Sequence, residues 1–309
     1  MILGRTGLEV SVAGLGCGGH SRLGQTRGAS EAESIQVVKR ALDLGITYID
    51  TARAYGTEAI VGKAVRGRRD EVTISTKASP DTPRGPVSAA GLRASVQHSL
   101  DLLDTDRIDV FHLHGVGVDN YRRCREDLVP ELESLRDEGL VRFIALSERF
   151  GADPGHAMLA SAFDDDCWDV AMVGFNLLNQ SARDRVLPAT RRDDVGVEVM
   201  FAVRRSLSQP DELRRVVAQL LSDGLVPTSA VVAGDPLGFL VGESGARSVV
   251  DAAYRFARRE PGCHVVLTGT GNLAHLEENV ASINSPPLPA ELSEALARLF
   301  GHLDHLSGN

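Results

Sequence analysis

Four polar residues of complementary chemistry stand at the ends of consecutive β-rich runs in the first half of the sequence: Asp50, Tyr55, Lys77 and His114. Tyr55 follows Asp50 by five residues, and Lys77 and His114 each end a later run. Taken singly, each residue has an ordinary structural interpretation, such as a helix cap for Asp50 or an ion pair for Lys77. A carboxylate, a phenol, an ammonium and an imidazole that reach one edge together instead indicate acid–base chemistry.

Reduction of a carbonyl group requires a set of this kind. Hydride that reaches the carbonyl carbon builds negative charge on the oxygen, so a proton donor must be at hand. The phenol of Tyr55 would be this general acid, but its unperturbed pKa of about 10 makes it a weak donor at neutral pH. We expect Lys77 to lower this pKa and Asp50 to hold the ammonium. His114 would donate a hydrogen bond to the same oxygen.

Strand and helix patterns alternate along the whole chain. β-rich runs are predicted at 12–16, 46–50, 72–77, 108–114, 142–147, 168–175, 197–201 and 265–268. Helices are predicted at 31–44, 58–65, 89–103, 127–138, 157–163, 181–192, 211–221, 246–259 and 273–283. This alternation predicts an α/β fold, a single (β/α)8 TIM barrel domain over residues 1–309. Residues 3–10 predict a short N-terminal β-hairpin with its turn near Thr6 and Gly7.

An open, doubly wound sheet is the main alternative fold. It would place a glycine-rich phosphate-binding turn between the first strand and the helix that follows directly. The glycines of residues 14–19 are the candidate turn, but more than ten residues separate them from the helix that begins near Glu31. Because no helix N-terminus meets these glycines, we interpret them as a flexible loop.

Composition and charge exclude several other classes of protein. The formal net charge is −9, so no nucleic-acid or anionic-membrane partner is expected. The four cysteines are scattered without a CxxC pair, which indicates free thiols in a reducing compartment. No apolar run approaches the length of about 18 residues that a membrane span needs, and no signal-peptide pattern is present, so we expect a cytoplasmic protein. His112 and His114 have no further ligand at a sensible spacing, so no metal is expected.

The strings YIDTARAYG, ISTKA, IDVFHLHG, GLVRFIALSE and LTGTGNLAHLEENV occur in the order found in aldo-keto reductases, and the chain resembles that family over nearly its whole length. In this resemblance the family's catalytic tetrad corresponds to Asp50, Tyr55, Lys77 and His114. The resemblance implies a barrel that binds a nicotinamide cofactor, NAD(P)H, in extended form without a Rossmann fold. It also implies hydride transfer to an aldehyde or ketone, so the expected partner is a small-molecule carbonyl or sugar substrate.

The resemblance places the cofactor phosphates at the turn after the last strand, residues 268–272. Small residues with backbone N–H groups at a helix start suit a phosphate, although a simple turn capped by Asn272 is the alternative. The expected cofactor contacts are Ser147, Phe201, Gly269, Thr270, Gly271, Asn272, His275, Glu278 and Asn279. Relatives that prefer NADP carry a lysine and an arginine where this chain has Gly269 and His275. We therefore expect relaxed or NAD-leaning specificity.

The position expected for the nicotinamide carboxamide departs from the family pattern. Relatives commonly use Ser-Asn after strand five and a glutamine on strand six, where this chain has Ser147-Glu148 and Met172. A carboxylate accepts hydrogen bonds but cannot donate them, and a thioether does neither well, so different contacts are expected. Phe201 would stack on the nicotinamide ring, with core packing as the alternative. Gly115 stands where relatives often have a tryptophan, which suggests a wider or more polar substrate pocket.

His112 lies on the same barrel face as His114, one layer deeper, where relatives usually have an apolar residue. It is interpreted either as a buried neutral imidazole bonded to barrel neighbours or as a residue that tunes His114. Three functions stay open at this point: a carbonyl reductase, a sugar or aldose dehydrogenase that runs in the oxidative direction, and a nicotinamide-binding regulatory subunit. The intact tetrad disfavours the third, and no heptad pattern indicates an oligomeric state.

Overall fold

The computed structural model describes residues 1–229, 231–232, 234–242 and 245–308. Eight parallel strands form a closed barrel, in which the first strand pairs with both the second and the last. The strands are β1 (Ala13–Gly16), β2 (Tyr48–Asp50), β3 (Thr73–Ala78), β4 (Ile108–Val116), β5 (Val141–Glu148), β6 (Val170–Gly174), β7 (Gly196–Met200) and β8 (Val265–Thr268). The predicted (β/α)8 barrel is therefore confirmed.

Helices follow the strands and cover the outside of the barrel. The principal ones are α1 (Glu31–Asp43), α2 (Glu58–Val65), α3 (Ala89–Leu103), α4 (Val129–Asp137), α5 (Ala157–Ala162), α6 (Leu187–Arg192), α7 (Pro210–Ser222), α8 (Val249–Arg258), α9 (Leu273–Asn284) and α10 (Ala290–Phe300). In the described part of the chain, no helix is long and apolar enough to cross a membrane.

Two helix predictions need correction. The predicted helix 181–192 is interrupted at Val186, because Pro188 restricts the backbone before it and has no N–H to donate, so the segment forms the short helix Ala182–Arg185 and then α6. Helix α10 was not predicted at all. Its sequence does carry a helical pattern, because Leu292, Leu296 and Phe300 recur every four residues, and Leu296 and Phe300 are fully buried in the core.

Alternation along the strands divides the apolar residues into two layers. On β4, Phe111 and Leu113 belong to the large core between the barrel and its helices, whereas Val110 belongs to a smaller cluster inside the barrel. His112 and His114 follow Val110 in steps of two and therefore also face inward. The strand pattern thus directs polar side chains to the barrel interior and its carboxyl end.

The N-terminal segment covers the opposite end of the barrel. The predicted hairpin is short, with one antiparallel bridge between Ile2 and Glu9, and its turn is the 3₁₀ segment Gly4–Thr6. Gly4 has φ +47°, and a Cβ there would lie 2.4 Å from the carbonyl oxygen of Asp194, so the close approach requires glycine. Leu3 packs in the interior cluster and closes this end of the barrel.

Candidate active site

The four residues of the predicted tetrad meet at the carboxyl end of the barrel. Asp50 ends β2, Lys77 lies in β3 and His114 lies in β4, while Tyr55 sits on the 3₁₀ turn Arg53–Tyr55 that follows β2. The phenol oxygen of Tyr55 is 3.5 Å from Nε2 of His114, and Nζ of Lys77 is 5.4 Å from the centroid of the Tyr55 ring. The structure therefore brings together all four side chains that the sequence singled out.

Lys77 and Asp50 form a buried ion pair beneath the tyrosine. Nζ of Lys77 donates to Oδ1 of Asp50, which also accepts the hydroxyl of Ser75 at 3.1 Å. Lys77 is completely buried, and burial alone would lower its pKa, but Asp50, Tyr55 and Glu198 outweigh this effect and raise the pKa. The ammonium consequently stays charged where it faces the tyrosine ring.

Burial dominates the titration of the other two members. Burial lowers the pKa of His114 to about 3, and the positive charge of Lys77 and the neighbouring His112 act in the same direction. The imidazole is therefore neutral at physiological pH. Lys77 lowers the pKa of Tyr55, as expected from the sequence. Burial has the larger effect, so the pKa of Tyr55 is raised overall. The prediction of a lowered tyrosine pKa was wrong in its net direction, because burial of the phenol disfavours the phenolate more than Lys77 favours it.

A cavity of about 320 Å³ opens directly beside Tyr55 and His114. Its wall includes Phe201, which has φ +65° and lies between the ring of Phe150 at 6.0 Å and the guanidinium of Arg204 at 3.9 Å from the ring centroid. Phe150, Arg149 and Arg204 were not predicted as site residues, since loop residues carry no periodic signal. A larger cleft of about 510 Å³ lies among Arg5, Asp165 and Arg192, but none of the predicted site residues lines it.

The carboxylate of Glu148 is held inside the protein. Its two oxygens accept from Nδ1 of His156 at 3.0 and 2.9 Å, and Oε1 also accepts the N–H of Gly174 at 2.7 Å. Burial raises the pKa of Glu148 although His156 opposes the shift. His156 is itself completely buried, adopts φ +59° and stacks on Phe150. The family-atypical glutamate thus has a dedicated partner, which the sequence did not reveal.

His112 has a buried partner as well. Its Nε2 lies 2.9 Å from Oε1 of Glu198 on β7, and both side chains are fully buried. The hydroxyl of Tyr48 donates to the same carboxylate oxygen. The expectation that His112 is a buried imidazole bonded to barrel neighbours agrees with this geometry. Glu198 was missed, although a glutamate inside the apolar run 197–201 is a signal that could have found it.

The turn after β8 lies at the same end of the barrel as the tetrad. Asn272 caps α9, because its side-chain oxygen accepts the N–H of His275 at 3.1 Å. The side chain of Asn279 donates to the hydroxyl of Thr268 at 2.9 Å, and His275 is exposed. A Cβ on Gly271 would lie 2.2 Å from Cα of Gly24, so the turn packs directly against the β1–α1 loop.

The remaining predicted cofactor contacts lie at the end of β5, in the turn after β8 and on α9. Ser147 is buried at the end of β5, and its hydroxyl accepts the N–H of Gly115 at 2.9 Å. Thr270 accepts the N–H of Asn272 at 3.1 Å, and Gly269 and Glu278 are exposed. Within the described ranges, no group of three or more His, Cys, Asp or Glu residues could hold a metal ion.

Comparison with known proteins identifies the family. The model of the aldo/keto reductase family matches residues 14–299. The chain is 24% identical to the uncharacterized oxidoreductase YqkF of Bacillus subtilis over 95% of this chain and 94% of that protein. It is 32% identical to L-galactose dehydrogenase of Arabidopsis thaliana over 152 residues, which are 47% of each protein.

Solved structures share the fold. An aldo-keto reductase from Bacillus halodurans in its holo form gives a TM-score of 0.75 at 21% identity and covers 100% of this chain and 99% of its own. An aldo/keto reductase from Klebsiella pneumoniae in complex with NADP and acetate gives 0.68 at 21% identity, with coverage of 97% and 94%. The chain belongs to the aldo/keto reductase family, and it is an oxidoreductase.

Proposed function

We propose that this protein uses NAD(P)H to reduce an aldehyde or ketone to an alcohol, with Tyr55 as the general acid. The observation that carries the proposal is the position of Tyr55 between the Lys77 ammonium, 5.4 Å from its ring centroid, and the His114 imidazole, 3.5 Å from its oxygen. Tyr55 and His114 line a cavity that a small carbonyl compound could enter, with Lys77 buried behind the tyrosine. A phenol, a buried ammonium and a neutral imidazole together supply the proton and the hydrogen bond that carbonyl reduction needs.

The residues present fit a nicotinamide dinucleotide. Ser147 accepts the N–H of Gly115, and no acceptor for its own hydroxyl hydrogen is found among the described residues, so it is free to donate to a carboxamide oxygen. Phe201 offers a ring to the cavity, and the N-terminus of α9 offers backbone N–H groups to phosphate. The NADP bound by the Klebsiella enzyme supports the same class of cofactor. We retain all nine sequence-predicted cofactor contacts as part of the proposal.

The mechanism assigns one task to each side chain of the tetrad. When bound, the reduced nicotinamide supplies the hydride. Tyr55 holds the proton that the carbonyl oxygen receives, and its raised pKa keeps the phenol protonated at neutral and mildly alkaline pH. Lys77 stabilises the phenolate that remains. Asp50 keeps Lys77 in place.

His114 orients the substrate in this scheme. Because its pKa is lowered to about 3, the ring is neutral and carries a single N–H. An N–H on Nε2 would donate to the carbonyl oxygen close to the phenol and polarise the carbonyl without giving up its proton. Of the two tetrad residues that line the cavity, Tyr55 is then the one that gives up a proton.

Substitution of Tyr55 by phenylalanine tests the proposal. Tyr55→Phe removes only the hydroxyl, so we expect kcat for carbonyl reduction to fall by about 100-fold or more. The dissociation constant of the cofactor, measured by fluorescence titration, should stay nearly unchanged, because the phenol acts in the transition state. Tyr121→Phe is the matched control, since this tyrosine bonds Asp165 away from the cavity. Full activity of Tyr55→Phe would disprove the mechanism.

A sugar or aldose dehydrogenase is the second candidate function. The relative that favours it is the L-galactose dehydrogenase of Arabidopsis thaliana, which matches about half of the chain. The same residues serve the reverse direction, with the phenolate of Tyr55 as the general base. Initial rates on aldoses with the oxidised cofactors, compared with rates on carbonyl compounds with NADPH and NADH, distinguish the two. Tight cofactor binding without turnover on either panel would instead indicate a regulatory subunit.

A further inference from the structure

A second carboxylate lies inside the barrel, one layer below the tetrad. Tyr48 precedes Asp50 by two residues on β2, and His112 precedes His114 by two residues on β4, so both face the interior one layer deeper. Glu198 reaches this layer from β7 and contacts both Tyr48 and His112. The proposed mechanism assigns no task to this group of three residues.

The contacts of Glu198 concentrate on one oxygen. Oε1 accepts from the hydroxyl of Tyr48 and from Nε2 of His112 at 2.9 Å, while Oε2 has no hydrogen-bond partner among the described residues. Where a carboxylate oxygen accepts, Nε2 of His112 is the donor. Nδ1 of His112 is also buried, and no partner for it is found in the described ranges either.

The neighbours of Glu198 offer little compensation for its charge. Its register partners on the adjacent strands are the apolar residues Met172 and Val265. The ionisable groups that face it are Tyr48 and Asp50 on β2, Lys77 on β3 and His112 on β4. His114, Tyr55 and Cys17 lie in the layer above, near the rim. The interior residues of the other strands are glycine, apolar or hydroxyl-bearing.

The carboxylate of Glu198 therefore lies one layer below the ion pair of Asp50 and Lys77. Asp50 pairs directly with Lys77, and Glu198 acts on both from the layer below. A negative charge in a medium of low dielectric constant favours the ammonium of Lys77 and opposes a second negative charge on Tyr55. In agreement with this, Glu198 contributes to the raised pKa of both Lys77 and Tyr55.

We propose that Glu198 and His112 are positioning residues that fix one negative charge beneath the Asp50–Lys77 pair and so set the pH at which Tyr55 gives up its proton. Tyr48 and His112 hold the carboxylate of Glu198 in place, and the pair acts on the reaction through Lys77 and Tyr55 without touching substrate. This inference rests on the proposed function for its kinetic consequence only. Its electrostatic consequence for Tyr55 is measurable without any turnover.

The first test removes the charge of Glu198 and keeps its shape. In Glu198→Gln the amide oxygen still accepts from Tyr48 and His112, but the negative charge is lost. We expect the alkaline limb of kcat/KM for reduction to move to lower pH by about one unit, because the phenolate of Tyr55 becomes easier to form.

Glu58→Gln is the matched control for this substitution. Glu58 is also buried, accepts one hydroxyl, that of Thr76 at 2.6 Å, and has its second oxygen without a partner in the described residues. It lies on α2, outside the barrel interior. In Glu58→Gln the alkaline limb of kcat/KM should stay at the same pH. An equal shift in both variants would show that any buried glutamate has this effect, and it would overturn the proposal.

The second test asks whether His112 acts through Glu198. In His112→Leu the carboxylate loses a donor, and a buried carboxylate that lacks partners takes up a proton. The alkaline limb should therefore move in the same direction as in Glu198→Gln. The double variant His112→Leu/Glu198→Gln should show no further shift. Opposite shifts of the single variants, or a double shift equal to their sum, would refute the coupling.

A spectroscopic titration separates this inference from the proposed function. The chain has four tyrosines, so the ultraviolet absorbance of tyrosinate in the protein minus that in Tyr55→Phe reports the ionisation of Tyr55. The midpoint should fall in Glu198→Gln and in His112→Leu. If the protein reduces no carbonyl compound, the proposed function fails, but this midpoint still tests Glu198. An unchanged midpoint in folded variants, checked by circular dichroism, disproves the inference.

Discussion

At the scale of single residues, desolvation decides which groups in the site carry charge. Lys77 is completely buried and stays an ammonium only because anionic groups surround it, whereas His114, beside that ammonium, is driven to the neutral form. Glu148 and Glu198 each have one imidazole as partner. A histidine partner in each case lets a carboxylate stay in the interior without an arginine or lysine.

The state of His114 gives a prediction at this scale. Because the pKa of His114 is lowered to about 3, its imidazole should not titrate between pH 5 and 8, and the activity profile should show no break from this residue in that range. The ring resonances of His114, assigned by comparison with His114→Gln, should keep their chemical shifts over this range in NMR spectra. A midpoint near the ordinary value of about 6.5 would contradict the burial argument.

Sequence reasoning at the residue scale succeeded where strand ends place side chains. The positions of Asp50, Lys77 and His114 follow from parallel strands whose carboxyl ends meet at one rim. The partner of Glu148 could not be predicted, because His156 reaches that carboxylate from a left-handed backbone conformation. This conformation is uncommon for residues other than glycine, and no local sequence pattern indicates it. Sequence reasoning also failed for the net pKa of Tyr55, which depends on a burial that only the folded barrel defines.

At the scale of elements, loops from the two ends of the chain build one wall of the site. The β1–α1 loop and the β8–α9 turn touch at Gly24 and Gly271, so the loop braces the turn proposed for the cofactor phosphates. The expectation that the glycines of residues 14–19 form a flexible loop is wrong for Gly14 and Gly16, which lie in β1. A Cβ on Gly14 would lie 2.6 Å from the side chain of Val265, so the crowded barrel interior explains this glycine. Glycine is required at Gly271 because two backbones meet there.

The close contact at Gly271 leads to a prediction for the turn. In Gly271→Ala the new Cβ would lie 2.2 Å from Cα of Gly24, so the turn and the loop must move apart. We expect the dissociation constant of the nicotinamide cofactor to rise by about tenfold, because the N-terminus of α9 shifts away from the phosphates.

Fluorescence titration with NADPH and NADH measures this effect. Gly234→Ala is the control, since a Cβ at Gly234 meets no atom of the described residues within 4 Å. Unchanged affinity in Gly271→Ala would argue that the phosphates lie elsewhere.

At the scale of the whole molecule, the barrel could be predicted from the sequence, whereas the path of the C-terminal segment could not. Strict alternation of eight strands with helices leaves few topologies. Helix α10 could have been predicted from its apolar residues at helical spacing. The segment after it could not, because its place depends on contacts such as the one between the side chain of Asn179 and the carbonyl of Leu306 at 2.8 Å. That residues 1–309 form one domain stays a prediction.

The choice between NADP and NAD is a property of the surface around α9. A 2′-phosphate needs charge-assisted donors, and the two positions where the family resemblance expects cations hold Gly269 and His275. Arg40 of α1 reaches this helix but is already paired with Glu277, at 2.8 Å. We therefore expect the ratio of the dissociation constants for NADH and NADPH to stay below about ten.

The same surface allows this preference to be changed by design. In His275→Arg a guanidinium replaces the exposed imidazole, so binding of NADPH should tighten while binding of NADH stays nearly constant, and the gain should weaken as salt is added. His275→Gln, which adds no charge, is the control and should leave the ratio unchanged. Tenfold or greater preference of the unmodified protein for NADPH would mean that other cations hold the phosphate, and the argument from Gly269 and His275 would fail.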